Sequence, residues 1–316
     1  MFGLFKRRQK NVKKQIRPLS LQDFTGQSQA KLLLSVALSS AKQRMEQLEH
    51  VVLYGPPGLG KTTLSNIIAN ELGVDAHYSI GTSLQTCGAL MELFDNVFDG
   101  DIVFIDEIHR IPTKVEELLY TAMEDGHINN IKLPKFTLIG ATTRMGDLSE
   151  PLRDRFGISI RLVYYSVTEL ATIAQRTADV LGVTITTSAA ELLASRARGT
   201  PRILNNFVRR ATDVMHATKK STIDDTIAAA ALELLEIDSL GLDRMDRRIL
   251  RVMYVMYEGK PVGINTLAVS VGEPARTIQE VYEPYLIQQG LIIPTSSGRM
   301  LSTQAIEHIK EWLHEK

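Results

Sequence analysis

The residues best suited to chemistry lie in the sequence GPPGLGKTT, at positions 55–63. This segment contains the pattern G-x-x-x-x-G-K-T, follows the apolar run VVLY and precedes a stretch of helical character at 64–72. Glycines let successive backbone N–H groups turn inward, and a helix N-terminus adds partial positive charge. Lys61 would reach the β- and γ-phosphates of a nucleotide, and the Thr62 hydroxyl would complete a Mg²⁺ shell. The alternative, a turn that merely ends a strand, leaves the full pattern unexplained, so we predict a nucleotide site.

A second chemical motif closes the apolar run DIVFIDE at 101–107. An apolar run that ends in carboxylates is typical of a buried parallel strand whose C-terminal end meets a ligand. Asp106 would hold a hydrated Mg²⁺, and Glu107 would polarise the attacking water. As an alternative, the acidic pair could cap the next helix, but the preceding phosphate loop favours catalysis. His109 could couple nucleotide state to a partner or could simply begin a helix, and the pattern leaves both open.

A third run, FTLIGATTR at 136–144, ends in two hydroxyl residues. At the end of a strand beside the phosphate loop, Thr142 or Thr143 could position the water or sense the γ-phosphate. This signal is weak alone, because threonine is common in strands.

Two arginines, Arg153 and Arg155, lie in the segment PLRDRFG just before the last strand-like run. At the edge of the sheet they would be poorly placed for their own nucleotide and well placed for that of a neighbouring subunit. An arginine supplied in trans accelerates phosphoryl transfer by about 10³–10⁵. The structural alternative is a surface salt bridge with Asp154.

The elements that position these residues alternate between strand-like and helix-like segments, which predicts an α/β fold with a doubly wound layer. After residue 168 the strand pattern ends and helical periodicity takes over. Pro201 suits a first helical turn, which would place Arg202 at a helix N-terminus where it could close on the γ-phosphate. Alternatively, Arg202, Arg209 and Arg210 form one solvated face. We expect strands at 51–54, 76–80, 101–107, 136–144 and 158–164, and helices at 28–45, 64–72, 88–97, 115–124, 168–181, 188–198, 201–215 and 223–236.

The C-terminal segment has the pattern of a winged helix. Helices are expected at 246–257, 264–271 and 275–289, followed by two short strands that frame the turn at 294–298. Such a unit usually contacts DNA, although it can also bind protein. From residue 239 onward there are nine acidic and nine basic residues, so the net charge gives no basic footprint for tight duplex binding.

Composition limits the class of protein. The 316 residues carry 36 basic and 36 acidic side chains, enough chain for several domains with a balanced charge. The N-terminal segment is basic, with seven Lys or Arg and no acid in residues 1–17, and we expect a mobile tail over residues 1–15. A single cysteine, Cys87, excludes an intramolecular disulfide, and no apolar run is long enough to span a bilayer. We expect a cytoplasmic protein without a membrane partner.

Six segments of the chain together resemble the RuvB family, the bacterial AAA+ motors of Holliday junction branch migration. They are GPPGLGKTT, FIDEIHR, FTLIGATTR, PLRDRFG, RGTPR and EPYLIQQG, and the resemblance extends over residues 16–301. It implies an AAA+ P-loop core at 16–164, a helical lid at 165–238 and a winged-helix domain at 239–316. It further implies an ATP- and Mg²⁺-dependent DNA translocase, active in recombination and repair as a homohexameric ring on duplex DNA and recruited by RuvA.

The resemblance also assigns roles to single residues. It implies that Arg155 is the finger inserted into the adjacent subunit, that Arg202 is a sensor in the lid, that Thr142 or Thr143 is the first sensor, and that Arg299 in the wing contacts DNA phosphate. Further residues are implied to contact nucleotide or metal, namely Ile16, Arg17, Gly55, Gly58, Gly60, Lys61, Thr62, Thr63, Asp106, Glu124, Asp125, Gly126 and Tyr165.

Two features depart from the family pattern. Only residues 126–134 separate the sequence Met-Glu-Asp from the following strand, so the hairpin that docks on RuvA in the family is much shorter here. The wing reads PTSSGR, and only Arg299 remains of its basic residues. Two other readings therefore stay open. One is a nucleotide-gated DNA- or protein-binding switch, similar to archaeal origin-recognition proteins. The other is a RuvB-like protein with a partner other than RuvA.

Overall fold

A computed structural model describes residues 16–314, so the predicted basic tail at 1–15 lies outside the described part of the chain. The chain divides into two compact units. The first contains the described residues up to Thr184 together with Gly199–Asn206, and the second contains Ile185–Arg198 and the chain from Phe207 onward. The predicted domain limits at 164 and 238 stay a prediction.

A five-stranded parallel sheet forms the centre of the first unit, with the strand order β2-β3-β6-β1-β7. Its central strands are buried along almost their whole length, as their continuous apolar sequences predict. The register places Tyr54 opposite Thr142 and Ile80 opposite Asp106, so the polar strand ends meet at one edge of the sheet. The strands are β1 (Val51–Tyr54), β2 (Ala76–Ile80), β3 (Ile102–Asp106), β6 (Thr137–Thr142) and β7 (Ile158–Arg161).

Helices and one small hairpin surround this sheet. The helix after the phosphate loop begins at Lys61, three residues earlier than the sequence predicts. A short helix at Glu150–Asp154 overlaps the segment PLRDRFG, where the sequence pattern predicts none. The hairpin has two residues in each strand, β4 (His127–Ile128) and β5 (Ile131–Lys132). The helices are α1 (Ser28–Arg44), α2 (Lys61–Leu72), α3 (Cys87–Phe94), α4 (Thr113–Glu124), α5 (Glu150–Asp154) and α6 (Val167–Leu181).

The second unit is mainly helical and ends in the predicted winged helix. Its apolar core includes Ile249 and Leu250 on one face of α10. The final helix, α14, was not predicted from the sequence. The elements that follow α6 are β8 (Thr184–Ile185), α7 (Thr187–Arg196), α8 (Pro201–Ala217), β9 (Thr222–Ile223), α9 (Asp225–Leu234), α10 (Arg244–Tyr257), α11 (Ile264–Val271), α12 (Ala275–Thr277), α13 (Glu283–Gln288), β10 (Ile292–Thr295), β11 (Gly298–Leu301) and α14 (Thr303–His314).

The wing and the helix before it differ in detail from the prediction. A π-helical turn at Ile278–Tyr282 interrupts the predicted helix, just ahead of Pro284, which cannot donate a backbone hydrogen bond. Pro294, expected in the turn, lies in β10 opposite Arg299. The strand tolerates it because the N–H and C=O of Arg299 bond to Val262 on the other side.

Among the described residues, no helix combines the length and the apolar character needed to cross a bilayer.

Candidate nucleotide site

The loop that follows β1 has a backbone shape that requires glycine at two points. Gly55 has a φ of 136°, and a Cβ there would collide with the backbone oxygen of Leu162. Gly58 has a φ of 81°, and a Cβ there would lie 2.7 Å from Cγ2 of Thr200. Side chains at these positions would strain the backbone and fill the concave side of the loop. Gly60 also has a positive φ and immediately precedes α2, so backbone N–H groups and the helix N-terminus converge as a phosphate cradle needs.

Lys61, the first residue of α2, lies inside this loop. Its Nζ donates to the carbonyl oxygens of Gly55 at 2.8 Å and Pro56 at 3.0 Å. Burial lowers the pKa of Lys61, and the carboxylates of Asp106 and Glu107 oppose that effect. An ammonium group has three donors, so two of them now hold the loop in shape, and a phosphate oxygen could take their place.

The donor set beside Lys61 suits magnesium. Asp106, at the end of β3, holds one carboxylate oxygen against the Glu107 backbone N–H at 3.0 Å. Thr62 follows Lys61 in the first turn of α2 and supplies a hydroxyl. Within the described residues, no group of three or more His, Cys, Asp or Glu side chains could hold a metal by itself. Mg²⁺ commonly needs only one or two protein oxygens together with substrate phosphates and water, so these residues fit it.

Glu107 and Thr142 are connected through the ring of His109. Nε2 of His109 lies 3.4 Å from a carboxylate oxygen of Glu107, and Nδ1 lies 2.8 Å from Oγ1 of Thr142. That hydroxyl oxygen also accepts a bond from the Arg144 backbone N–H at 2.9 Å. Burial lowers the pKa of His109, and the Glu107 charge opposes this only in part, so the ring is neutral at neutral pH. A neutral ring donates at one nitrogen and accepts at the other, which fits a Thr142 hydroxyl donating to Nδ1 and an Nε2–H facing Glu107.

The two threonines at the end of β6 differ in their contacts. Thr142 is fully buried and contacts His109, whereas the structure gives Thr143, the next residue, no contact with that ring. His109 is therefore part of the acidic site rather than an ordinary helix-start histidine. The contact joins residues 33 positions apart, so no local pattern could have predicted it.

A pocket borders the phosphate loop at Leu59 and Gly60. Tyr165 is buried there, and its hydroxyl donates to the Leu59 carbonyl at 3.1 Å. Burial raises the pKa of Tyr165, which therefore keeps its proton. The predicted contacts Ile16, Arg17, Gly60, Thr63 and Tyr165 all line this pocket, together with Phe24 and Arg176.

Arg202 lies beside the phosphate loop, in the first turn of α8. Its Cβ would lie 3.1 Å from a Cβ placed on Gly58, and its charge lowers the pKa of Lys61. Its side chain is exposed, so the guanidinium can turn toward a phosphate bound in the loop.

The predicted finger, Arg155, is held at a different place on the first unit. Its Nη2 donates to Glu124 at 2.6 Å, its Nη1 donates to the Pro151 carbonyl at 2.8 Å, and its Cζ lies 5.0 Å from the centre of the Tyr120 ring. Its Nε is buried and has no hydrogen-bond partner among the described residues. The acid that pairs with Arg155 is therefore Glu124 and not Asp154.

The adjoining residues, Asp125 and Gly126, connect α4 to the small hairpin. The Asp125 carbonyl lies 2.7 Å from Nδ1 of His127, and Gly126 has a φ of 68°. Neither residue lines the pocket around Tyr165, so their nucleotide contacts stay a prediction.

In the second unit, Arg299 is engaged within the wing itself. Its guanidinium donates through Nε and Nη2 to both carboxylate oxygens of Glu283, and the Arg299 side chain is only 14% exposed. Both donors that point at the carboxylate are thus occupied. The predicted DNA contact by Arg299 would require this buried pair to open, a cost that the sequence pattern does not reveal.

Comparisons with known proteins agree with the layout. Three family models match successive parts of the chain, described as the Holliday junction DNA helicase RuvB P-loop domain at 16–162, the RuvB AAA lid domain at 165–238 and the RuvB C-terminal winged helix domain at 239–310. The Holliday junction branch migration complex subunit RuvB of Streptococcus pneumoniae (strain CGSP14) is 46% identical over 317 residues, which cover 96% of each chain.

Solved structures give the same result. A variant of Thermotoga maritima RuvB superposes with a TM-score of 0.89 at 47% identity, covering 93% of this chain and 98% of that one. The T. maritima RuvB Holliday junction branch migration motor superposes with a TM-score of 0.87 at 47% identity over the same shares. With matches of this identity along nearly its whole length and the P-loop, lid and winged-helix fold in place, the chain belongs to the RuvB family.

Proposed function

We propose that this protein is an ATP-driven motor of Holliday junction branch migration, acting in DNA recombination and repair. The observation that carries the proposal is the phosphate loop with Lys61 inside it, next to the acidic end of β3 and the buried Thr142, in a member of the RuvB family. DNA as the substrate also supports the predicted cytoplasmic location.

In this proposal each residue of the site has one task. The loop N–H groups and Lys61 bind the β- and γ-phosphates of ATP, and Glu107 polarises the attacking water. His109 and Thr142 hold the Glu107 carboxylate in place and extend the hydrogen-bonded network toward the γ-phosphate. Thr62 and Asp106 would hold Mg²⁺, which neutralises charge on the phosphate oxygens when it is bound.

We further propose that the site is completed by a neighbouring subunit in a homohexameric ring. The support is the position of Arg155, which pairs with Glu124 and does not line the nucleotide pocket of its own chain. In a ring, Arg155 would exchange Glu124 for the γ-phosphate of the next subunit, and Glu124, Asp125 and Gly126 would lie beside that nucleotide. Arg202, exposed beside the phosphate loop, would sense the same phosphate from its own chain.

The test is ATP turnover and unwinding of a four-way junction by the purified full-length protein. We expect turnover that rises on adding DNA, loss of turnover in Lys61→Ala and in Arg155→Ala, and partial recovery when the two variants are mixed, because some interfaces then combine an intact pocket with an intact finger. Turnover that DNA does not change would favour the nucleotide-gated switch. Failure of rescue at every mixing ratio would contradict a shared site.

A second candidate concerns the partner. The hairpin β4–β5 has only two residues in each strand, while the family hairpin that docks on RuvA is long. This observation favours a branch-migration motor that is loaded by a protein other than RuvA. Junction unwinding with and without added RuvA, together with a pull-down, distinguishes the two. RuvA that binds stably and stimulates unwinding would support the first candidate, and RuvA without effect would support the second.

A further inference from the structure

Four arginines form a stripe along one face of α10. Arg244, Arg247, Arg248 and Arg251 follow the spacing i, i+3, i+4 and i+7, which places them on one side of a helix. The opposite side carries Ile249, Leu250 and Met253 and is buried in the core of the second unit. With a rise of 1.5 Å per residue, the stripe is about 10 Å long. We call these four residues the α10 stripe.

The α10 stripe lines a groove in the second unit. The groove has a volume of about 990 Å³ and is also lined by Arg196 of α7 and Trp312 of α14. Two carboxylates, Glu233 and Glu236, reach it from α9 and the residues just after it, and Asp238 lies at its side. Asp238 is already occupied, because it accepts bonds from the Leu240 and Leu242 backbone N–H groups and contacts His308. Five guanidinium groups thus face two available carboxylates.

Few of these positive charges are neutralised by the protein. Arg244 lies 4.0 Å from Glu236, and Arg247 donates to the Glu236 carbonyl at 2.8 Å. Arg248 and Arg251 form no ion pair within the part of the chain that the structure describes. Three other basic side chains of the winged helix do form salt bridges, namely Lys260 with Glu258, Arg276 with Glu280 and Arg299 with Glu283.

This arrangement explains how a segment with balanced charge can still bind a polyanion. The nine basic residues after position 238 are not spread evenly, because four of them lie on one helix face. Like charges at helical spacings of three and four repel each other, so the stripe destabilises α10 slightly unless an anion lies across it. A closely spaced row of phosphates relieves that repulsion along the whole stripe at once.

We propose that the α10 stripe binds the phosphodiester backbone of DNA and supplies the phosphate contacts that the wing of this protein lacks. In the wing, Arg299 is committed to Glu283, and the turn residues Ser296 and Ser297 carry no charge. Duplex DNA presents one negative charge per about 1.7 Å of its axis, so a stripe of this length can meet several phosphates. The inference rests on the proposed function, because it assumes that DNA is the substrate.

The experiment compares two double variants of the full-length protein that lose the same charge. Arg248→Ala with Arg251→Ala removes half of the stripe, whereas Arg209→Ala with Arg210→Ala removes two exposed arginines of α8, of which Arg210 pairs with Asp213. Affinity for a fluorescent duplex is measured by anisotropy over a series of salt concentrations. Each lost phosphate contact lowers the slope of log K against log salt by about 0.9. We therefore expect a slope lower by about two in the stripe variant and no change in the α8 variant.

Three controls make the result decisive. Melting temperatures equal to that of the unaltered protein show that both variants fold, and turnover without DNA should also be unchanged, because neither pair lies in the nucleotide site.

If both variants match the unaltered protein in affinity and slope, the inference is wrong while the motor function stands. If the unaltered protein itself fails to bind duplex, the proposed function is wrong as well. Loss of assembly in the stripe variant, seen by light scattering, would overturn the inference by assigning the stripe to a contact between copies.

Discussion

Arg155 and Glu124 form an ion pair on the surface of the ATPase unit, with Nη2 of the arginine 2.6 Å from the carboxylate. Glu124 is well exposed, at 62%, while Arg155 is more enclosed, at 29%. The Tyr120 ring and the Pro151 carbonyl keep the guanidinium oriented even without the acid. In the proposed ring, Arg155 would have to leave Glu124 before it could reach a phosphate of the neighbouring subunit.

The first prediction concerns this pair. We expect Arg155→Ala to lower kcat by about 10³–10⁵ with nucleotide affinity retained, because it removes the charge that stabilises the transferring phosphoryl group. We expect Glu124→Gln to change kcat by about fivefold at most, since an exposed ion pair is worth about 0.2–1 kcal/mol. Steady-state ATPase assays and nucleotide titration by fluorescence measure both quantities. Equal losses in the two variants would show that Glu124 itself takes part in the chemistry.

The second prediction concerns the ring between Glu107 and Thr142. We expect His109→Ala to lower kcat by about tenfold or more, which is about 1.4 kcal/mol in activation free energy, with little change in ATP affinity. Thr142→Val should have a similar effect, and the double variant should lose little more than either single one, because the residues act as one network.

The matched control for this network is His127→Ala, which removes an exposed histidine in the small hairpin. It should leave kcat unchanged. Additive losses in the His109 and Thr142 double variant would mean that the two side chains act independently and that the observed contact has no catalytic role.

The third prediction concerns the phosphate loop. Gly55→Ala would bring a Cβ against the Leu162 carbonyl at a φ of 136°, so we expect loss of nucleotide binding and a melting temperature lower by several degrees, equivalent to about 1–3 kcal/mol. Gly146→Ala is the control, because a Cβ there meets nothing within 4 Å and its φ is not positive. Thermal unfolding with and without ATP separates the two effects. A normal melting curve for Gly55→Ala would contradict the strain argument.

The fourth prediction concerns stability in acid. Burial alone would raise the pKa of Asp101, but hydrogen bonds from His77 and from the Phe98 and Asp75 backbone N–H groups outweigh it and hold that pKa below its ordinary value. A carboxylate with a depressed pKa binds fewer protons in the folded state than in the unfolded chain. Its stabilising effect is therefore full above the unfolded pKa of about 3.9 and is lost as the pH falls through the folded pKa.

Denaturant titrations between neutral pH and strong acid test this. We expect Asp101→Asn to destabilise the protein at neutral pH and to flatten the fall in stability below about pH 4. Asp75→Asn is the control, because it keeps the backbone N–H that donates to Asp101 while changing an exposed carboxylate. A steep acid transition that Asp101→Asn leaves unaltered would assign the sensitivity to other groups.

Features encoded in one short segment could be predicted from the sequence. The phosphate loop and the acidic end of β3 each depend on a few neighbouring residues, so their type and position followed from the pattern. The helical periodicity of the lid and winged helix was equally local. The different boundary of the wing has a non-local cause: Pro294 is typical of a turn, but the pairing of Arg299 with Val262 removes the need for the N–H that proline lacks.

Features that depend on distant partners could not be predicted. His109 contacts Thr142, which lies 33 positions away, and Arg155 pairs with a residue 31 positions away instead of the adjacent Asp154. The pairing of Arg299 with Glu283 is invisible in the wing sequence. The α10 stripe could have been predicted from the helical spacing of its four arginines. The net charge of the segment does not reveal it, because equal numbers of acidic and basic residues sum to zero.

Glu107 adopts a left-handed backbone conformation, with φ of 50° and ψ of 42°, although it is not a glycine. Such a conformation costs a side-chain-bearing residue of order 1–2 kcal/mol. If Glu107 polarises the attacking water as we propose, glycine at this position would relax the backbone and abolish hydrolysis together. Selection for thermal stability alone would therefore favour variants that are more stable but inactive. A selection that also requires ATP hydrolysis would avoid them.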